Sequence, residues 1–316
     1  MPAWGEVLQI ILSQVKQDTS IVDKIRRDYL RELSKYTGRP TILYATRWMD
    51  YPIVNPVETQ VLWGDKEGFM ETVYGIKGDQ LDLILHSPGG LTEAAKSIVE
   101  YLRDKFKSIR VIVPDAAMSA ATMIALSGDV VIMGRQSNLG PIDPQFIIPL
   151  LNTQISISAQ SLLEEFERAK DEVKKDKNNL LVWATKLQQY PPGILEEAKN
   201  ALELTKEVGK RWLTSYMFQG EQDGEKKAER IVTYLADHNA LKSHGNPVPR
   251  AKLEELGLKI MRLEDDQKLQ DLVLSVYHVT RITFQLSVSP HKIIENSNGR
   301  SFIKVVAAPT PQQQRG

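Results

Sequence analysis

Apolar residues recur at helical spacing from Val7 to Tyr36 (Val7, Ile10, Ile11, Val15, then Ile21, Ile25, Leu30, Leu33), which predicts two amphipathic helices before the break Thr37-Gly38-Arg39-Pro40. The pattern then changes to short runs of Ile, Val and Leu: "TILYAT" (41–46), "LDLILHS" (81–87), "IRVIVPD" (109–115) and "DVVIMG" (129–134). Helical segments, "TEAAKSIVEYLRDKF" (92–106) and "AATMIALS" (120–127), separate the later runs. Buried strands alternating with helices predict an α/β domain with a largely parallel sheet. After Gln145 the chain turns polar and helical again, through "SAQSLLEEFERAKDEVKKDKNNLLVWATKLQQ", the break "YPPG" (190–193) and "ILEEAKNALELTKEVGKRWLTSYMF". A further helix, "KKAERIVTYLADHNAL", is followed by a loop, a short helix and a strand, and then by the amphipathic helix "QKLQDLVLSVYHVTRITFQL". The Pro- and Gln-rich end, "VVAAPTPQQQRG", has no periodicity and reads as a frayed tail.

Composition narrows the function more by exclusion than by assertion. Across 316 residues, 40 Lys and Arg balance 40 Asp and Glu, so no global basic field argues for nucleic acid or an anionic surface. The KKDK run reads as a solvated helix face or turn. With no cysteine, disulfides, thiol nucleophiles and Cys-ligated zinc are excluded together. The five histidines, His86, His238, His244, His278 and His291, show no metal-binding spacing, and no GxGxxG follows a strand, so neither a metal nor a nicotinamide cofactor is expected. No signal peptide is read at the N-terminus, and no apolar run reaches the roughly 18 to 20 residues of a membrane span. A soluble cytoplasmic protein is therefore expected.

Two strand-to-helix turns carry the candidate chemistry. In "LILHSPGG" a buried strand runs through Ser87-Pro88-Gly89-Gly90 into a helix, and a Gly-Gly pair there exposes backbone N–H groups that suit an oxyanion, although a plain connection has the same pattern. In "PDAAMSAATMIALSG" a strand leads to Ser119 and a helix of small residues. A serine at such a turn suits a nucleophile, with Ala120 N–H as an oxyanion donor, but the same position also suits a helix N-cap.

In series with "VIMGRQSNLGPIDPQ", "WLTSYMF" and "SHGNPV…LEELGL", these phrases resemble the serine dehydrogenase proteinase family, signal peptide peptidase A-like serine peptidases of the Clp/crotonase fold, over about residues 40–262. The resemblance implies a repeated ββα spiral with a largely parallel sheet and with N- and C-terminal helical extensions. It divides the chain into a helical arm (1–38), a peptidase domain (39–265) with a helical insertion (158–190), and a C-terminal helix and tail (266–316). It also implies peptide-bond hydrolysis through a Ser119 acyl-enzyme, with Gly89, Gly90 and Ala120 forming the oxyanion hole. The substrate would be a peptide or unfolded protein, and the protein a homo-oligomer without a membrane anchor, with room for peripheral membrane association.

The general base does not follow from the pattern. Where Clp-type peptidases carry a histidine, this chain has Asp143. Signal peptide peptidase A enzymes use a lysine instead, and Lys199, on the helix leading to "WLTSYMF", is the first choice; Lys170 lies in a strongly charged segment. A swapped arrangement of His244 with Asp143 around Ser119 is the second. His86 is expected to orient the SPGG loop, and His238, His278 and His291 to be ordinary surface or helix histidines. Two other functions stay open: a non-catalytic peptide- or partner-binding scaffold of the same fold, and an acyl-CoA enzyme of crotonase type.

Overall fold

The computed structural model describes residues 3–14, 20–50, 55–150, 153–287 and 289–305. Helices α1 (Trp4–Gln14) and α2 (Ser20–Thr37) lead into β1 (Thr41–Thr46), α3 (Asp65–Val73), β2 (Gln80–His86), α4 (Thr92–Lys105) and β3 (Ser108–Val113). The chain continues through β4 (Ala116–Ala117), α5 (Ala120–Leu126), β5 (Val130–Met133) and β6 (Asn138–Leu139) to the hairpin β7 (Gln145–Leu150) and β8 (Thr153–Ser158). Helices α6 (Ala159–Lys175), α7 (Asn179–Leu187), α8 (Ile194–Trp212), α9 (Gly224–Ala236) and α10 (His238–Leu241) follow, then β9 (Val248–Pro249), α11 (Arg250–Leu256), β10 (Ile260–Arg262), α12 (Gln267–Leu286), β11 (Pro290–Asn296) and β12 (Ser301–Val305). The tail expected at 306–316 lies outside the described residues. No helix among the described residues is long and apolar enough to cross a membrane.

Seven strands form the main sheet in the order β10-β5-β3-β2-β1-β11-β12, parallel from β10 to β1 and antiparallel from there on. Side chains alternate across it with a period of two. Ile42, Tyr44, Leu83, Leu85, Val111, Val113, Val131 and Met133 join the core formed with α3, α4, α5 and α9, whereas Leu43, Ala45, Ile84, Ile112 and Ile132 pack with α2 and α12. The N- and C-terminal helical extensions thus share one face, where Leu30 and Leu33 meet Val273 and Val276. Each of these fully buried aliphatic side chains contributes about 1.5–3 kcal/mol. Because both faces of β1, β2 and β3 are covered, their functional groups emerge at the strand ends.

The C-terminal hairpin β11–β12 is absent from the sequence expectation, which placed only a helix and a tail after residue 266. Strand β11, "PHKIIEN", is buried throughout yet carries Lys292, Glu295 and Asn296. Its charges are neutralised on opposite faces of the sheet. Glu295 accepts from Arg26 and Arg27 of α2, both at 2.6 Å, and Lys292 Nζ lies 2.7 and 2.8 Å from the two carboxylate oxygens of buried Asp65. His291, expected as an ordinary surface or helix histidine, is likewise buried in this strand. Asp65 also accepts from Lys304 Nζ, the Tyr44 hydroxyl and Leu62 N–H. Removing this carboxylate would leave buried Lys292 uncompensated, so Asp65→Ala is expected to cost about 3–5 kcal/mol in chemical denaturation. Lys304→Ala, which removes a partly exposed partner, should cost clearly less; equal losses would show that Asp65 does not organise this cluster.

Candidate active site

A small sheet, β4-β6-β9, assembles the candidate residues. Ala116 and Ala117 pair in parallel with Asn138 and Leu139, which pair in antiparallel with Pro249 and Val248. Each of these two-residue strands is next to one candidate. Ser119 follows β4, Asp143 follows β6 and His244 precedes β9. The Thr122 hydroxyl accepts from Gly140 N–H at 2.8 Å and lies 2.8 Å from the Ala117 carbonyl, tying the serine turn to the segment that bears Asp143. Ile142 N–H donates to the Leu235 carbonyl of α9 at 2.8 Å, fixing that segment at its far end.

Ser119 occupies the N-cap position of α5, yet its hydroxyl makes no capping hydrogen bond, so the capping reading fails. Its backbone is at φ 51° and ψ −122°. Among the described residues only Ser119 and Lys242 have positive φ without being glycine. Such a conformation costs of order 1–3 kcal/mol and lifts the side chain away from the helix it precedes. Among the described residues the hydroxyl has no hydrogen-bond partner, and Ser119 is partly accessible.

The Gly89-Gly90 turn lies directly against this serine. A Cβ on Gly89 would stand 2.3 Å from the Met118 carbonyl oxygen and 2.7 Å from both Ser119 Cβ and Ala120 N, and φ is +89°. Only glycine fits there. Gly89 contributes this close approach, and its N–H donates to Ser87 Oγ at 3.2 Å. Gly90 is different. Val61 N–H donates to the Gly89 carbonyl at 2.7 Å and Leu91 N–H donates to the Val61 carbonyl at 3.0 Å, a parallel bridge that turns Gly90's own N–H the other way. Among the described residues, the N–H groups of Gly90 and Ala120 have no hydrogen-bond partner.

A cleft of about 450 Å³ runs past this turn, lined by Gly90, Ser119, Ala120 and His244, with Phe146 and Leu204 among its apolar walls. His244 is the one histidine lining it among the described residues. Its Nδ1 lies 2.6 Å from Asp143 Oδ1. Asp143 has no exposed side-chain surface, and its Oδ2 is 3.0 Å from His238 Nδ1 and accepts from Gln145 Nε2 at 2.7 Å. With Nδ1 facing the carboxylate, Nε2 is the ring nitrogen not engaged with Asp143. His238 was expected to be an ordinary surface or helix histidine; the structure makes it a partner of the candidate site, and nothing in its local sequence distinguishes it.

The lysines are placed elsewhere. No lysine lines the cleft among the described residues. Helix α8 turns Ala201, Leu204 and Thr205 toward it, and Lys199 is exposed outside it. Lys170, also exposed, pairs with Glu167 on its own helix. His86 ends β2, fully buried between Trp48 and Tyr277, with ring centroids 5.6 and 5.2 Å away, and neither ring nitrogen meets the geometry of a hydrogen bond among the described residues. Burial, with a smaller contribution from the Arg281 charge, pushes its pKa down to about 3. It is therefore a neutral packing element behind the SPGG turn. His278 lies on α12, partly buried.

A family described as ClpP-like SDH-type serine proteinases matches residues 6–279. The chain belongs to that family. Two uncharacterized proteins of Methanocaldococcus jannaschii are similar to this proteinase-family chain. One is 29% identical over 237 residues, 74% of this chain and 73% of the relative, and the other 27% identical over 233 residues, 73% and 70% respectively. Among solved structures, a mutant of the 1510-N membrane-bound stomatin-specific protease aligns with a TM-score of 0.38 at 13% identity, covering 67% of this chain and 79% of that one.

Proposed function

We propose that the protein is a serine peptidase in which Ser119 is the nucleophile, His244 the general base and Asp143 the carboxylate that orients it. The observation that carries this reading is the convergence of an unpartnered, left-handed Ser119 and an Asp143-bound His244 on one cleft. Ser119 Oγ attacks the carbonyl carbon of the scissile bond while His244 Nε2 takes its proton. The resulting imidazolium is stabilised by Asp143, and the oxyanion accepts hydrogen bonds from Gly90 and Ala120 N–H. His244 then protonates the leaving amine, and water, deprotonated by the same imidazole, releases the acyl group. The chain order Ser119, Asp143, His244 differs from the Clp order and matches that of other hydrolases with the same constellation.

The scaffold reading was motivated by a missing base, and a histidine in the cleft removes that motive. Substrates are peptides or unfolded segments, as the family suggests. In the homo-oligomer that the resemblance implies, the exposed Leu180, Leu181 and Val182 of α7 are apolar surface available for burial. A fluorophosphonate probe is expected to label the wild-type protein at a single residue, identified by mass spectrometry as Ser119, with no label in Ser119→Ala. Absence of wild-type labelling together with no cleavage of casein would overturn the assignment.

A further inference from the structure

We infer that His238 is a positioning residue of this site, one that together with Gln145 occupies Oδ2 of Asp143 so that Oδ1 stays committed to His244. The inference rests on the peptidase reading above. A carboxylate has two equivalent oxygens, and a buried one turns about its last torsion unless both are held. Here each oxygen has its own imidazole, His244 Nδ1 at 2.6 Å on Oδ1 and His238 Nδ1 at 3.0 Å on Oδ2. Gln145, from β7, reinforces Oδ2 at 2.7 Å.

The chain is built to deliver both rings to one carboxylate. His238 opens the single-turn helix α10, its backbone N–H donating to Gln160 Oε1 at 2.9 Å. Asp237 caps that turn through Asn239 and Ala240 N–H. Lys242, at φ 66°, then reverses the chain so that His244 reaches the same carboxylate from the other side. Of the two strained non-glycine residues, one thus presents the nucleophile and the other lies between the paired histidines.

One negative charge serves two rings, which has a consequence for catalysis. Asp143 stabilises the His244 imidazolium formed in turnover most when His238 is neutral and donates from Nδ1. A proton taken up by His238 places a second cation on the same carboxylate. The other ionisable groups facing this unit are Asp237, which caps α10, and Glu164 of α6, reached through Asn239. The acid limb of kcat should therefore reflect two coupled protonations, with a slope approaching two.

The full-length protein is tested with a fluorogenic peptide across the pH range, reading kcat and KM separately. His238→Asn keeps an N–H donor near the Nδ1 position but cannot titrate; kcat on the alkaline side should stay within about threefold of wild type while the acid slope falls to one. His238→Leu removes the donor and should lower kcat by about 10- to 100-fold with KM little changed. If the leucine variant does not fold, the slope of the asparagine variant decides alone. A wild-type acid slope of one, an unchanged slope in His238→Asn, or a leucine variant that raises KM instead of lowering kcat would each overturn the positioning role. Failure of the peptidase reading is a separate outcome, seen as full activity in His244→Asn or as a wild-type protein that takes no fluorophosphonate.

Discussion

His244→Ala is expected to lower kcat/KM on a peptide substrate by about four to six orders of magnitude, whereas Lys199→Ala is expected to change it by no more than about twofold. The contrast follows from where the two bases lie. A lysine accepts a serine proton at neutral pH only when burial or a neighbouring cation destabilises its charged form. Lys199 is exposed on the side of α8 away from the cleft, so it has no such environment. His244 lines the cleft with Ser119, and Asp143 lies 2.6 Å from its Nδ1, so in the proposed mechanism Nε2 is the nitrogen that takes the serine proton. Asp143→Asn should cost about 10⁴-fold, because an amide that donates to Nδ1 forces the proton onto Nε2, the wrong tautomer. The measurement is steady-state kinetics on purified variants with circular dichroism as a control for folding. A dead Lys199→Ala beside an active His244→Ala would restore a Ser–Lys mechanism.

Much of this architecture is legible in the sequence because it rests on local pattern. The runs around 41–46, 81–87, 109–115 and 129–134 fall on β1, β2, β3 and β5, and Ser119 and Gly89 stand where turn chemistry requires them. What is not legible is non-local. Strand β11 escapes because Lys292 and Glu295 are satisfied by Asp65 and Arg26, residues far away in sequence. The strands β4, β6 and β9 are two residues each, too short to leave a periodic trace, yet they bring Ser119, Asp143 and His244 together. His238 escapes for a related reason: its role is defined by a contact with Asp143, 95 positions away. Periodicity reports which face of an element is buried and carries nothing about which polar groups meet across elements. The Gly89-Gly90 turn shows the same limit. The Gly-Gly pair is visible in the sequence, but its bridge to Val61 is not.

The largest stability effect is expected from His86, and it runs in one direction only. In the folded protein burial holds its pKa near 3 against 6.5 for an ordinary histidine, so the ring stays neutral between Trp48 and Tyr277 down to acid pH. The unfolded chain takes up a proton on this residue as soon as pH falls below 6.5. Between those values the unfolded state binds more protons, and stability must fall with falling pH. The contribution is present above pH 6.5, and its complete loss, reached below pH 3, corresponds to about 5 kcal/mol, a large share of the 5–15 kcal/mol that holds a typical domain together. By pH 4.5 about 3 kcal/mol of it should be gone. His86→Phe keeps an aromatic ring in the same place and removes the titration, so its unfolding free energy should fall less steeply over this range. Urea denaturation of both proteins at pH 7 and pH 4.5 provides the comparison, and taking the difference between them cancels the carboxylates that titrate in each. Parallel pH dependences for the two proteins would mean that His86 is not buried neutral. In that case the packing of this ring behind Ser87-Pro88-Gly89-Gly90 would have to give way to a hydrated, charged imidazole at the back of that turn.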